Sequence, residues 1–235
     1  MMKLKKSLLL ALGLLMSFAA LYAQADSDNN NQSYKRMYIF DVGLGFGCPD
    51  VWGDGGSSWV VDKDNDNCNF VSSMQLMTFS SRSAIGYGLY YYNYKSAKER
   101  YDGVLSQEVN EKVAFHYVAP QVSFIKRHTA FAKGVGYVNA GVGYAHYKSK
   151  GMLMQKEDYR TIVSGIGCNV GIAYEYVFDS NMGIRLAVDC IYARLKRMHK
   201  DKAAYPADLS IRPRKKSHLF VPSLELGLSY YIFHQ

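Results

Sequence analysis

Asp41, Glu175, Arg185, Asp189 and Glu225 stand inside stretches that alternate large apolar residues with glycine, alanine and serine, and each falls on the small-residue side. A charge held on such a face, away from bulk water, needs a partner, because an unpaired one carries a heavy desolvation penalty. Four carboxylates around one guanidinium therefore suggest an ion-pair network. Arg185 is expected to pair with Glu175, Asp189 or Glu225 from adjacent strands, and Lys133 is a further candidate member. The sharper alternative is a gated ion path through the same charges.

Other reactive groups are more scattered. Asp62-Lys-Asp-Asn-Asp66 opens like a calcium loop, but Asn67 replaces the required glycine and Ser73 the bidentate glutamate. It reads as a solvated acidic loop, so no metal and no cofactor are implied. His116, His146, His199 and His218 are the candidate general bases. His116 and His146 share the parity of apolar neighbours, and no serine stands at an interval that completes a triad. No catalytic residue is assigned, and the protein is not expected to be an enzyme. A basic run gathers Lys196, Arg197, Lys200, Lys202, Arg212, Arg214, Lys215 and Lys216 against Asp201 and Asp208. Coulomb attraction to anionic headgroups is the expected consequence.

These residues are carried by eight alternating segments. The last, Glu225-Leu-Gly-Leu-Ser-Tyr-Tyr-Ile-Phe-His-Gln235, is clear: Leu224, Leu226, Leu228, Tyr230 and Ile232 share one face, and Ser223, Glu225, Gly227, Ser229 and Tyr231 the other. The earlier segments cover roughly 34–47, 69–81, 84–95, 109–126, 130–148, 161–178 and 182–194. Pro120 interrupts the fourth, and a phase slip in the fifth suggests a bulge near Gly134–Gly136. Connections alternate in length, with tight turns at Ser81-Arg-Ser83, Arg127-His128 and Asp179-Ser-Asn181. Long loops are expected at 48–68, 96–108, 149–160 and 195–217. Large apolar residues facing out and small ones facing in suit a closed cylinder whose narrow interior is filled by side chains.

The opening residues form a secretory signal over 1–23. Lys3, Lys5 and Lys6 precede an apolar stretch from Ser7 to Ala20, and Ala20-Leu-Tyr-Ala23 supplies the small residues of a cleavage site. Removing those three lysines and no acid lowers the formal charge from +8 to +5. Residues 24–33 read as a flexible polar leader, leaving 34–235 as one domain. Export separates the chain from nucleic acid, so no nucleic-acid partner is expected, and it permits disulfides. Cys48 and Cys68 bracket the first long loop as a candidate bond. Cys168 and Cys190, nearly equidistant from the Asp179–Ser180 turn, are open to a cross-strand bond or to a role as small apolar side chains. Tyr is abundant, at 20 residues. Tyr90, Tyr91, Tyr92 and Tyr94, with Tyr144, Tyr147, Tyr174, Tyr176, Tyr230 and Tyr231, are expected to form interfacial girdles, with a sugar-binding platform as the alternative.

Together these features resemble the eight-stranded bacterial outer-membrane β-barrel family, the group of the OmpA-type membrane domain and OmpX. The resemblance implies an all-β, closed up-and-down antiparallel eight-stranded transmembrane barrel after a cleaved signal peptide. It also implies a monomer in the outer membrane of a diderm bacterium, in contact with lipid and lipopolysaccharide. Glu225-x-Gly227-x-x-Tyr230-x-Ile232, with Phe233 near the end, is similar to the signal read by the barrel-assembly machinery; His234 and Gln235 after the phenylalanine depart from it. No peptidoglycan-binding domain is expected after the barrel. Envelope integrity or cell-surface contact through the loops is the expected role. The alternatives are a lipid A-modifying enzyme on the same barrel and a narrow pore.

Overall fold

A computed structural model describes residues 36–53, 68–80, 83–102, 107–127, 134–153, 157–178, 181–197 and 216–234. The signal peptide, the polar leader, Lys133, His128, His199 and the Asp62–Asp66 loop lie outside them. The strands are β1 (Arg36–Gly47), β2 (Asp50–Gly53), β3 (Asn69–Ser80), β4 (Ile85–Asp102), β5 (Gln107–Arg127), β6 (Gly134–Leu153), β7 (Glu157–Val177), β8 (Met182–Arg197) and β9 (Lys216–His234). Apart from β2, each pairs antiparallel with the next, and β9 returns to pair with β1, so the sheet closes.

The short β2 continues β1 along β9. Gly47 is opposite Ser223 and Asp50 opposite Phe220, one unbroken register. Between them Pro49 and Pro222 have no N–H to give the ladder, and Cys48 N donates to Pro222 O at 2.9 Å as the remaining link. Pro120 acts similarly: the β5–β6 ladder skips Ala119 and Pro120, then resumes in the same register at Gln121.

The register fixes the width of the cylinder. From Met37 the paired positions run through Phe79, Gly86, Ser123, Asn139, Gly171, Asp189 and Ser223, and reach β1 again at Gly47, ten residues further on. A stagger of that size over eight strands means a tilt of roughly 40° and a backbone radius of about 8 Å. Such an interior holds side chains and little else. The backbones are correspondingly close: a Cβ on Gly45 would come 2.0 Å from Leu224 O at the β1–β9 seam.

Alternation then sorts the side chains. Leu224, Leu226, Leu228, Tyr230 and Ile232 are exposed on the outer wall, while Ser223, Glu225, Gly227, Ser229 and Tyr231 are buried inside. On β7 the outward run from Ile166 to Tyr176 spans ten residues, about 25 Å along the axis, the height of a hydrocarbon belt. No helix among the described residues is long and apolar enough to cross a membrane, which says nothing of a crossing made by strands.

Several sequence expectations are corrected. β6 holds one register with both neighbours from Gly134 onward, without a bulge near Gly134–Gly136. The apparent phase slip arises because Val135 and Tyr137 are apolar residues that face inward, packing with Met37, Ile39, Phe79 and Tyr231. Two of the expected long loops are mostly ladder, since β4 and β5 leave only residues 103–106 between them and β6 and β7 only 154–156. In these extensions the sequence loses its apolar alternation while the backbone pairing goes on.

Cys48, between β1 and β2, is bonded to Cys68 just before β3, with a sequence separation of 20. Removing this crosslink by Cys48→Ser with Cys68→Ser is expected to destabilise by about 3 kcal/mol through loop entropy. The readout is the urea midpoint for unfolding from lipid vesicles; an unchanged midpoint would mean that the ladder alone constrains the loop.

Candidate functional site

The lumen is built in three layers. Toward the end where 54–67, 103–106, 154–156 and 198–215 connect the strands (the loop end), Tyr92, Tyr94, Phe115, Tyr117, Ile191 and Leu219 pack into an apolar cluster. Met37, Ile39, Met77, Phe79, Tyr137 and Tyr231 close the opposite, turn end. Between them lies a polar layer that contains all five residues first singled out: Asp41, Glu175, Arg185, Asp189 and Glu225 are buried together on the inner wall.

The pairing differs from expectation. Arg185 Nη1 donates to Asp41 Oδ2 at 3.0 Å and to Gln75 Oε1 at 2.9 Å, rather than to Glu175, Asp189 or Glu225. Glu175 is its register partner on the adjacent strand, but neighbouring side chains project in parallel. The long arginine reaches past β9 to β1 and β3. Glu225 accepts from Ser73 and, at 3.1 Å, from Ser223. Glycines clear the space for the remaining carboxylates: a Cβ on Gly171 would fall 1.8 Å from Asp189 Oδ1, and one on Gly183 2.0 Å from Glu175 Oε1. Four carboxylates around a single guanidinium give the layer an acidic surplus among the described residues.

Sequence reasoning missed the neutral half of this layer. Tyr117 OH donates to Asn169 Oδ1 at 3.1 Å, Asn169 Nδ2 to Gln121 Oε1 at 3.4 Å, and Ser123 bonds Asn139. Parity was the available signal, since each of these shares the inward face with glycine or alanine. The tyrosine girdle is also corrected. Tyr90, Tyr92, Tyr94, Tyr147 and Tyr231 are buried in the lumen, whereas Tyr174, Tyr176 and Tyr230 are on the outer wall toward the turn end and Tyr144 toward the loop end. Tyr91 is half-buried on the outer wall.

At the loop end the outer belt stops on polar residues: Asn93 on β4, His116 on β5, His146 on β6, Ser164 on β7, Arg194 on β8 and His218 on β9. Tyr91 OH is 2.9 Å from His116 Nδ1, His146 Nδ1 is 2.9 Å from Ser164 Oγ, and Tyr192 OH is 2.5 Å from His218 Nδ1. The His146–Ser164 contact follows from the β6–β7 register, which no sequence interval discloses.

Of the basic candidates, Lys196 is exposed on β8, and Arg197 and Lys216 belong to β8 and β9, not to a loop, with Lys196 opposite Lys216. Lys200, Lys202, Arg212, Arg214 and Lys215 lie outside the described residues. Cys168 pairs with Tyr192 and Cys190 with Val170, so the two cysteines are diagonal rather than opposite, and both are free thiols. In the terminal pattern Glu225 and Gly227 face the lumen, and Tyr230, Ile232 and Phe233 are exposed.

A closed antiparallel barrel of eight tilted strands, with an apolar outer belt around a lumen filled by side chains, is the fold of outer-membrane β-barrel proteins. The crystal structure of a major outer membrane protein from Thermus thermophilus has this architecture, with a TM-score of 0.51 at 14% identity over 84% of this chain and 99% of that one. That likeness speaks to the fold alone. OprG from Pseudomonas aeruginosa gives 0.49 at 13% identity over 86% of this chain and 98% of that one. Neisserial surface protein A gives 0.47 at 11% identity over 83% and 96%. No protein-family model and no curated protein sequence matches the chain.

Proposed function

We propose that this protein is a non-catalytic outer-membrane barrel, exported through residues 1–23, that acts in cell-surface contact and envelope integrity. The apolar belt, about 25 Å tall on β7, supports placement in a membrane. Glu225, Gly227, Tyr230, Ile232 and Phe233 are the residues offered to the assembly machinery, and lipopolysaccharide surrounds the loop end. The observation that carries the surface role is the height of two hairpins. From His146 to Leu153 on β6, and from Ser164 to Glu157 on β7, the ladder runs seven residues beyond the belt, about 17 Å at this tilt. The β4–β5 hairpin pairs alongside to Asp102 and Gln107. A four-stranded sheet standing clear of the bilayer is a surface for contact rather than a gate.

The test compares cells carrying the full chain with cells in which both hairpins are cut back to the belt. Attachment to abiotic and protein-coated surfaces is expected to fall while the barrel stays in the outer membrane. Undiminished attachment contradicts the surface role.

The His146–Ser164 contact favours one other reading, modification of lipid A. A serine nucleophile needs its histidine oriented by a third group and donors for an oxyanion. Among the described side chains no carboxylate joins this pair. Mass spectra of lipid A from expressing and deletion strains separate the readings, and an unchanged profile rejects the enzyme. A pore would have to pass both apolar clusters, so planar-bilayer recordings are expected to show no discrete conductance steps.

A further inference from the structure

The turn-end side of the polar layer gathers oxygens that its own donors leave unsatisfied. Asp41 on β1 is opposite Ser229 on β9, and Ser229 is opposite Gly183 on β8. Glu175 on β7 leans into the space over Gly183, where a Cβ would come 2.0 Å from its Oε1. Ser229 is therefore flanked by a carboxylate on each side and lies close to both. Tyr137 and Tyr231, whose hydroxyls bond each other, stand near Glu175 on the turn-end side. Glu175, Asp41 and Ser229 are 0%, 4% and 1% exposed. Yet Glu175 Oε1 and Oε2, Asp41 Oδ1 and Ser229 Oγ have no hydrogen-bond partner among the described residues.

We infer that Glu175, Asp41 and Ser229 hold a monovalent alkali cation, sodium or potassium, enclosed in the lumen. Buried polar atoms are almost always hydrogen-bonded, and a group of orphans on one spot calls for a bound species. The species must be positive. Arg185 is committed to Asp41 Oδ2 and Gln75, so among the described residues Glu175 has no cation of its own. Every available donor is a carboxylate or hydroxyl oxygen, the set that hard cations take. Charge then selects the valence. Asp41 and Glu175 against Arg185 leave one negative charge, which a monovalent ion cancels. A divalent ion would leave a buried positive charge uncompensated. Among the described residues no three histidine, cysteine or carboxylate side chains converge on one metal either. Gly183 supplies the room, since any side chain there would displace the Glu175 carboxylate.

The test follows urea unfolding of the full chain from phosphatidylcholine vesicles in sodium chloride, potassium chloride or N-methylglucamine chloride at equal ionic strength. Wild type is expected to unfold at a higher urea concentration in an alkali salt. The gain rises with the logarithm of alkali-ion concentration once the site fills, as for any ligand of the folded state alone. Glu175→Gln is expected to abolish the response. Ser229→Ala, which keeps both charges and removes one oxygen, is expected to raise the ion concentration at half effect roughly tenfold. Asp189→Asn removes a buried carboxylate outside this group and retains the response. A wild-type midpoint that is the same in all three salts overturns the site and assigns these oxygens to a proton or a water. A response that survives Glu175→Gln, or that Asp189→Asn removes equally, overturns it as well. Should Glu175→Gln fail to fold, Ser229→Ala decides, and an unshifted ion titration overturns the site.

Discussion

Arg185→Met is expected to destabilise the folded barrel by about 3–5 kcal/mol, because it strands a buried carboxylate without its cation. Arg185 holds Asp41 at 3.0 Å and Gln75 at 2.9 Å in the polar layer between two apolar clusters. Asp41 is buried in the lumen, so bulk water is a poor substitute for the lost partner. The loss comes mainly from desolvation of the remaining charge, so removing that charge should recover much of it. Asp41→Asn in the Arg185→Met background is therefore expected to be more stable than Arg185→Met alone. Urea titrations of the three variants and wild type in lipid vesicles check this. If Arg185→Met unfolds at the wild-type midpoint, the ion pair is not what holds the layer together.

Leu226→Arg is expected to destabilise the barrel by an amount set by what the outer wall touches. Leu226 is 61% exposed in the middle of the β9 row, between Leu224 and Leu228. In water an exposed leucine exchanged for arginine stays within about 0.5 kcal/mol of neutral. Opposite hydrocarbon at mid-bilayer the same change is expected to cost about 2–4 kcal/mol. Lys196→Leu, at the rim, should be nearly silent by comparison. Matched stabilities of Leu226→Arg and wild type in a bilayer would place the β9 row outside the hydrocarbon.

What the sequence disclosed follows from which physical signals are local. The β9 row from Leu224 to Ile232 was legible because hydrocarbon and lumen demand opposite chemistries at alternate residues, a period of two that any single strand displays. The same rule failed where the environments cease to differ. Beyond the belt, the upper parts of β4 to β7 lack the period-two apolar pattern in sequence, so their pairing has no hydropathy signature and reads as loop. At the turn end Val135 and Tyr137 are apolar because they plug the lumen, and so resemble a slipped register. Partners across the barrel were not legible at all. Arg185 meets Asp41 because β9 closes on β1: Arg185 is opposite Gly227 and Gly227 opposite Gly43, two residues from Asp41, a property of the closed sheet rather than of any segment. His146 meets Ser164 only because β6 and β7 pair in one particular register. Membership of the polar layer was thus readable from parity, and its wiring was not.

The outer row of every strand is expected to dissolve in hydrocarbon. Size-exclusion chromatography of the folded protein after complete removal of detergent tests it most directly. The exposed belt of leucine, isoleucine, valine and aromatic side chains predicts loss of the monomer peak to aggregates, with recovery only on return to detergent or vesicles. A folded, monodisperse monomer in amphiphile-free buffer would contradict it.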